Sequence, residues 1–317
     1  METAPVLIHI FNRPSLVPNL IEVVRMAKPK KLFISADGAR EDKLGEKELC
    51  DESRKRILEL VDWPCDVQTL FQESNLGTRY ALIAGITWFF DQVEEGIILE
   101  EDCLPNESFF KFCTTLLEYH RHDPRIMHIT GTNQQFGKKV GDASYYYSCF
   151  PSIWGWASWR RVWKLYDPKM SLFPELDKEN MLLNVFSDPV IVEDLQIALR
   201  MTYDDQNMTW DHQLGFAIAI NNGLCIVPNV NLVSNVGVKK IGPQQLDSVV
   251  SNIPTVELDV NNIVHPDFYI ANRAADLNQI TWSYEDTTTT NKTKFKYEQY
   301  NKKSSFLNKL KSKFLEA

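Results

Sequence analysis

The chain has 317 residues, a hydrophobic fraction of 44% and a formal net charge of −8. A chain of this length and apolar content forms one large or two ordinary domains with a full core. The acidic balance argues against a general nucleic-acid-binding protein, which usually carries a basic surface. We therefore expect no nucleic-acid partner.

The six cysteines form no Cys-x-x-Cys pair and no zinc-binding spacing, so we expect them to be reduced and buried. The N-terminus shows no basic-then-apolar signal segment, and no apolar run approaches the length that spans a membrane. These features predict a cytoplasmic protein.

The first hundred residues alternate between two kinds of pattern. Apolar, β-branched runs predict strands at residues 5–11, 31–35, 67–71 and 97–99. Apolar residues at helical spacing predict helices between these strands, at residues 16–27, 41–60 and 78–91. This alternation predicts an α/β fold with a mostly parallel, Rossmann-like sheet flanked by helices.

Polar groups follow each of the four predicted strands, and the carboxyl ends of parallel strands share one edge of a sheet. At that edge, Arg13 could pair with a phosphate, and Asp37 could accept a hydrogen bond from a base or ribose. Gly77, next to Asn75, would let the backbone approach a ligand closely. Each residue alone is also explained by a surface ion pair, a turn or a helix start.

Glu100, Glu101 and Asp102 follow the fourth strand directly. Three adjacent carboxylates repel one another, and oxygen ligands without nearby Cys or His pairs favour Mg²⁺ or Mn²⁺ over zinc. Such an ion could hold a diphosphate and neutralise it as it leaves. The alternative is ordinary loop charge before a helix at 107–121, for which Asn106 is a candidate N-cap.

The second half of the chain predicts strands at 126–131, 145–150 and 224–227 and helices at 175–202 and 213–221. Four of the eight tryptophans lie within residues 154–163, and indole rings both stack on sugars and fill cores. The helical spacing of Trp159 and Trp163 predicts core positions. For Trp154 and for Trp156, a core position and a position in an acceptor pocket are equally consistent with the sequence. Asn133 lies in a polar loop near the same edge of the sheet.

Asp211 stands at the start of the helix at 213–221. It is either a helix-terminal charge or a general base that takes the proton of an acceptor hydroxyl. Beyond residue 242 the periodicity fades, and residues 292–315 are basic, with apolar residues on one helical face. That pattern fits an interfacial helix on an anionic membrane surface, so we expect peripheral association at the inner membrane face; a solvated tail is the alternative.

Taken together in order, these motifs are similar to those of a GT-A fold nucleotide-sugar glycosyltransferase. More narrowly, residues 4–240 resemble bacterial relatives of the inverting N-acetylglucosaminyltransferase that begins complex N-glycan branching. The motifs that carry the resemblance are Phe11-Asn12-Arg13-Pro14, Ser35-Ala36-Asp37-Gly38, Asn75-Leu76-Gly77, Leu99-Glu100-Glu101-Asp102 and Trp210-Asp211-x-Gln213.

The resemblance implies a role for each matching residue. Arg13 would contact the diphosphate, Asp37 would bind a base that is usually uracil, and Asp102 would ligate Mn²⁺ or Mg²⁺. Glu101 would support the metal or ribose, and Asp211 would be the base of an inverting transfer from a nucleoside-diphosphate sugar to a glycan or glycolipid acceptor. The remaining donor-binding candidates are Asn75, Gly77 and Glu100, and the acceptor-binding candidates are Trp154, Trp156 and Asn133.

The resemblance also implies a division of the chain into a nucleotide-sugar-binding part at 1–130, an acceptor-binding and catalytic part at 131–240, and an extension at 241–317. One departure concerns the Thr-His pair that many relatives carry after the Asn-rich strand. Here Lys239 and Lys240 follow instead, so either His265 replaces that His, or Asp102 and the diphosphate hold the ion alone, or a lysine neutralises the phosphate. A retaining transferase and a carbohydrate-binding scaffold with a decayed site stay open as alternatives.

Overall fold

A computed structural model describes residues 2–186, 189–205, 209–237 and 252–285. Lys239, Lys240 and the basic segment 292–315 lie outside the described residues. The expectations attached to those positions therefore stay predictions.

The first part of the chain alternates strands and helices as the sequence predicts. Its elements are β1 (Val6–Ile10), α1 (Val17–Ala27), β2 (Lys31–Ala36), α2 (Glu46–Leu60), β3 (Asp66–Phe71), α3 (Thr78–Gln92) and β4 (Glu95–Glu100). All five residues of β1 are buried, as expected for a central parallel strand that is covered on both faces.

The rest of the chain extends the same sheet and adds a group of helices. It begins with β5 (Cys103–Pro105), α4 (Glu107–Tyr119), β6 (Ile126–Thr130), β7 (Tyr145–Ser148), β8 (Trp156–Trp159) and α5 (Arg160–Trp163). It continues with α6 (Phe173–Lys178), α7 (Leu182–Phe186), α8 (Pro189–Asp204), α9 (Asp211–Ile220), β9 (Leu224–Pro228), β10 (Val233–Asn235) and α10 (Arg273–Glu285).

The main sheet has eight strands in the order β3-β2-β1-β4-β8-β6-β9-β7. Pairing is parallel from β3 through β4, and β6 pairs parallel with β9. Strand β8 is antiparallel to both β4 and β6, and β7 is antiparallel to β9. The expected α/β class, a mostly parallel sheet flanked by helices, is confirmed.

Two elements differ from the sequence-based expectation. Trp156–Trp159 forms strand β8, and only the short helix α5 follows it, although the spacing of Trp159 and Trp163 suggested one helix. Two neighbouring strands supply the hydrogen bonds of β8, so tertiary pairing overrides a local spacing signal. Residues 175–202 form parts of the three helices α6, α7 and α8 instead of one helix. Asn180, with φ of 52°, lies between α6 and α7 and separates them.

The sheet and its flanking helices enclose the principal core, which contains Trp159 and Trp163 as predicted. A second apolar cluster lies among α6, α7, α8 and α9. Among the described residues, no helix combines the length and the apolar character that crossing a membrane requires.

Candidate functional site

The polar ends of β1, β2 and β4 and the start of α3 meet at one edge of the sheet. They surround a cavity of about 410 Å³, which we name the strand-end pocket. Its lining contains all six donor-binding residues predicted from the sequence: Arg13, Asp37, Asn75, Gly77, Glu100 and Glu101. The edge rule for parallel strands therefore places these groups together, as expected.

Asp37 holds the loop that leads into α3. Its Oδ1 accepts hydrogen bonds from the backbone amides of Gly38 (2.9 Å) and Leu76 (2.8 Å). Its Oδ2 accepts from Asn75 Nδ2 (2.9 Å) and from the amide of Gly77 (3.1 Å). A carboxylate offers about four acceptor positions, so this conformation uses all of them, three to position the loop and one on the amide of Gly38.

Arg13 joins two of the acidic residues. Its Nε donates to Glu101 Oε1, and its Nη1 donates to Asp102 Oδ2 at 2.9 Å. Glu101 Oε2 also accepts from the amide of Phe11 at 2.7 Å, and Glu101 is only 3% exposed. Glu101 therefore fixes the end of β1 and orients Arg13, while the Asp102 side chain is more open to solvent.

A second cavity, of about 400 Å³, adjoins the first. We name it the acidic pocket, because Glu100, Asp102 and Asp211 all line it. Thr78 and Glu100 line both cavities. The structure thus brings the end of β4 and the start of α9 to one continuous cleft, although more than a hundred positions separate them in sequence.

Glu100 lies where the two pockets meet. Burial above all, and then the nearby charges of Asp102 and Asp211, together raise the pKa of its carboxyl group to about 8. Arg13 acts in the opposite direction. In the free protein this carboxyl group therefore keeps its proton near neutral pH, which reduces the repulsion among three acidic residues that line one cleft.

The surroundings of Asp102 fit a cation that is bound together with a ligand. Among the described residues, no group of three or more His, Cys, Asp or Glu side chains is arranged to hold a metal ion by itself. Mg²⁺ characteristically uses one or two carboxylates and completes its shell with water and substrate phosphates. The Asp102 carboxylate is such a donor, and it lines a cavity large enough for the other ligands.

Gly237 packs directly on this carboxylate. A Cβ at position 237 would fall 2.6 Å from the Cβ and Cγ of Asp102, closer than real side chains approach. The amide of Val236 donates to the Asp102 backbone oxygen at 2.8 Å, and Asn235 pairs with Cys103 across β10 and β5. Strands β5 and β10 therefore hold a glycine against Asp102. Because glycine has no side chain, space is left beside the Asp102 carboxylate.

Asp211 is the first residue of α9, on the opposite side of the acidic pocket. Its side chain does not cap the helix; its Oδ1 accepts a hydrogen bond from the hydroxyl of Thr209. Trp210, which precedes it, is 3% exposed and packs in the core against Trp156. This anchored tryptophan fixes the start of the helix and so the position of the Asp211 carboxylate.

Trp154 and Trp156, for which the sequence allowed both a core position and an acceptor pocket, lie in different environments. Trp154 lines the acidic pocket, whereas Trp156 is 1% exposed and stacks between His128 and Trp210. Gly155, with φ of 69°, turns the chain between them, and strand pairing then directs Trp156 into the core. For Trp156 the core interpretation replaces the acceptor-pocket one.

Two further expectations are corrected by the contacts. Asn133 is 4% exposed, and its side chain bonds the Pro228 oxygen (2.6 Å) and the Gln135 amide (2.7 Å), so it pins a loop and lines neither pocket. His265 Nδ1 lies 2.9 Å from the Tyr145 hydroxyl, and its ring stacks on Tyr119 at the last turn of α4. Arg121, two residues beyond Tyr119, pairs with Glu95 at the start of β4, the opposite end of that strand from Glu100, so His265 does not complete the site of Asp102.

Several pocket residues were missed by the sequence analysis. His9 lies within β1, and its Nδ1 is 2.8 Å from Ser35 Oγ; burial lowers its pKa to about 4, so the ring that faces the strand-end pocket is neutral. The other pocket residues that were missed are Arg40 in the strand-end pocket, Thr78 in both pockets, and Arg79, Thr209 and Asn235 in the acidic pocket. Polar residues within a buried strand or just after a motif give no local signal in the sequence that marks them as pocket residues.

Comparison with protein-family models gives no match, and neither does comparison with curated proteins. Among solved structures, a mannosyltransferase from Pyrobaculum calidifontis, described in complex with GDP-Man and Mn²⁺, is 12% identical at a TM-score of 0.35. The match covers 52% of this chain and 46% of that one, so this chain spans less than half the length of that protein.

Two other solved structures give similar values. A UDP-glucose pyrophosphorylase complexed with UDP-glucose is 12% identical over 51% of this chain and 78% of that one, with a TM-score of 0.30. HddC from Yersinia pseudotuberculosis is 13% identical over 51% and 80%, with a TM-score of 0.33. Likeness at this level assigns no function, which has to come from the site itself.

Proposed function

We propose that the protein is a metal-dependent glycosyltransferase of the GT-A type. It would move a sugar from a nucleoside-diphosphate sugar, in the first instance a UDP-sugar, to a hydroxyl of a glycan or glycolipid acceptor. One observation carries the proposal: Asp102 and Asp211 line a single pocket that is continuous with the polar strand-end pocket. A donor site and an acceptor site with a base between them need this arrangement.

The strand-end pocket suits the nucleotide part of the donor. Gly77 precedes α3, whose first turn contains no acidic residue, and the start of this helix lines the pocket. A helix N-terminus presents free amides and a partial positive charge to an anion. Together with the Arg13 guanidinium, it forms a binding site for a diphosphate at the boundary of the two pockets.

Asp102 is the residue that would hold Mn²⁺ or Mg²⁺, with diphosphate oxygens completing the coordination. When bound, the ion would neutralise charge that develops on the departing nucleoside diphosphate. Arg13 now pairs with Asp102 and is 31% exposed as a side chain, so it can turn towards a phosphate when the carboxylate binds a cation.

Asp211 supports the inverting form of the reaction. Its carboxylate would take the proton of the acceptor hydroxyl, and the acceptor oxygen would form a bond to the anomeric carbon from the side opposite the diphosphate. The bond from the anomeric carbon to the diphosphate oxygen breaks with its electron pair, and the nucleoside diphosphate leaves. Trp154, on the same pocket, offers an indole face to the acceptor sugar.

A thermal-shift screen tests the proposal. UDP, GDP, CDP and TDP, each with and without Mn²⁺ or Mg²⁺, are added at a hundredfold excess over their Kd. Such binding stabilises a fold by about 2.7 kcal/mol, which for a chain of 317 residues is a rise of about 4 °C in Tm. Asp102→Ala should lose the metal-dependent part of that rise. Asp62→Ala, an exposed aspartate outside both pockets, is the control and should keep it.

The absence of a shift with every nucleotide would contradict a donor site and favour the carbohydrate-binding alternative. If a nucleotide binds, incubation with the corresponding sugar nucleotides and an acceptor panel identifies the transferred sugar. The anomeric configuration of the product, read by NMR, then separates inversion from retention.

A further inference from the structure

Beside the acidic pocket lies a third cavity, of about 130 Å³, with a different chemical character. We name it the apolar pocket, because its lining is mainly Phe150, Ile153, Leu195, Ala198 and Phe216, with Gly215 at its wall. It lies between the segment that leads into β8 and helices α7, α8 and α9. None of the roles derived above uses it.

The apolar pocket is continuous with the proposed reaction centre. Ile153 and Asp211 line both the apolar and the acidic pocket. A ligand whose hydroxyl reaches the Asp211 carboxylate therefore has an apolar recess next to that hydroxyl. The polar groups at this boundary are Asp211 itself and His212, whose Nδ1 is 2.7 Å from the Thr202 hydroxyl.

The size of the apolar pocket limits its occupant. A cavity of about 150 Å³ with an apolar lining accommodates one benzene molecule. A pocket of about 130 Å³ therefore takes a group of about five carbon atoms, more than a single methyl substituent and less than a long lipid chain. A sugar ring, with a hydroxyl on nearly every carbon, would leave its polar groups without partners there.

We propose that the apolar pocket binds an alkyl or aryl group of the acceptor, adjacent to the hydroxyl that is glycosylated. The acceptor would then be a glycolipid or another amphipathic hydroxyl compound rather than a fully hydrophilic glycan. This inference rests on the proposed function, because it takes Asp211 as the residue that contacts the acceptor hydroxyl.

A homologous series of alkyl glycosides tests the inference. Methyl through hexyl glycosides of the accepted sugar are compared as acceptors by the rate of nucleoside-diphosphate release. Each buried methylene contributes about 0.8 kcal/mol, which corresponds to about a fourfold gain in kcat/KM. We expect kcat/KM to rise about fourfold per carbon up to about five carbons and then to level off.

Two substitutions should move this profile in opposite directions. Ala198→Phe fills the pocket and should flatten the series, whereas Leu195→Ala enlarges it and should extend the rise to longer chains. Gln196→Phe places the same ring on the same helix outside the pocket lining and is the matched control, with an unchanged profile. Each variant is first shown to retain the wild-type thermal shift with nucleotide and metal, which excludes misfolding.

The outcomes separate the two proposals. Sugar transfer with a flat alkyl series in the wild type overturns the apolar pocket as an acceptor site and leaves the transferase intact. A rise that Ala198→Phe and Gln196→Phe change equally also overturns the assignment to this pocket. If no nucleotide binds and no sugar is transferred, the proposed function fails and the acceptor assignment fails with it.

Discussion

Replacing Asp37 tests whether the strand-end pocket depends on one carboxylate. Asp37 is 4% exposed and accepts four hydrogen bonds, three from the loop that precedes α3 and one from the amide of Gly38. At about 1 kcal/mol net per hydrogen bond, Asp37→Ala should lower the free energy of unfolding by about 4 kcal/mol. Asp37→Asn keeps one acceptor oxygen but turns an amide towards Asn75 and the Gly77 amide, so we expect a loss of about 2 kcal/mol.

Urea unfolding, followed by tryptophan fluorescence and far-UV circular dichroism, measures these differences. Asp62→Ala is the matched control, because its carboxylate is 63% exposed and pairs with Arg25 at the surface. Such a pair contributes at most about 1 kcal/mol. A loss for Asp37→Ala no larger than that of Asp62→Ala would show that this carboxylate does not organise the pocket.

Three further predictions concern Gly237, Asp276 and the basic segment 292–315. Gly237→Ala forces the Asp102 carboxylate to move, so metal-dependent nucleotide affinity, measured by calorimetry, should fall about tenfold or more, a loss of at least 1.4 kcal/mol; unchanged affinity would contradict the placement of the ion. Burial raises the folded-state pKa of Asp276 from 3.8 to about 6, so the protonated group stabilises the fold below about pH 4 and this stabilisation is lost as the pH rises through 6. Asp276→Asn, which does not ionise, should therefore gain about 3 kcal/mol over the wild type between pH 4 and pH 7 in urea unfolding, and a pH-independent difference would contradict this. Full-length protein should sediment with anionic liposomes more than residues 1–290 do, and equal recovery would end the membrane hypothesis for 292–315.

The sheet and the donor-side residues could be predicted because their signals are local. Each apolar run is followed at once by polar residues, and the parallel direction of the strands brings those ends to one edge. Arg13, Asp37 and Glu100 needed no knowledge of distant contacts. The same rule predicted which residues meet but not what each contacts, so the use of all four Asp37 acceptor positions was not foreseen.

The other side of the site depends on tertiary structure. Strand β8 inserts between β4 and β6, and its four residues carry no periodic signal that distinguishes a strand from a helix turn. The turn at Gly155 sends Trp154 and Trp156 to different environments. Gly237 and His9 were missed because their relevance comes from what packs against them, which the sequence does not state.

The proposed transfer requires that Asp211 act on an acceptor held in the same cleft where Asp102 holds the donor. The most direct test is Asp211→Asn, which preserves the shape of the side chain and can still accept the Thr209 hydrogen bond, assayed for both sugar transfer and nucleotide binding. We expect kcat to fall by about 10²–10⁴-fold while the Kd for nucleoside diphosphate and metal stays within about threefold of the wild-type value. Near-normal turnover by Asp211→Asn would rule out Asp211 as the base.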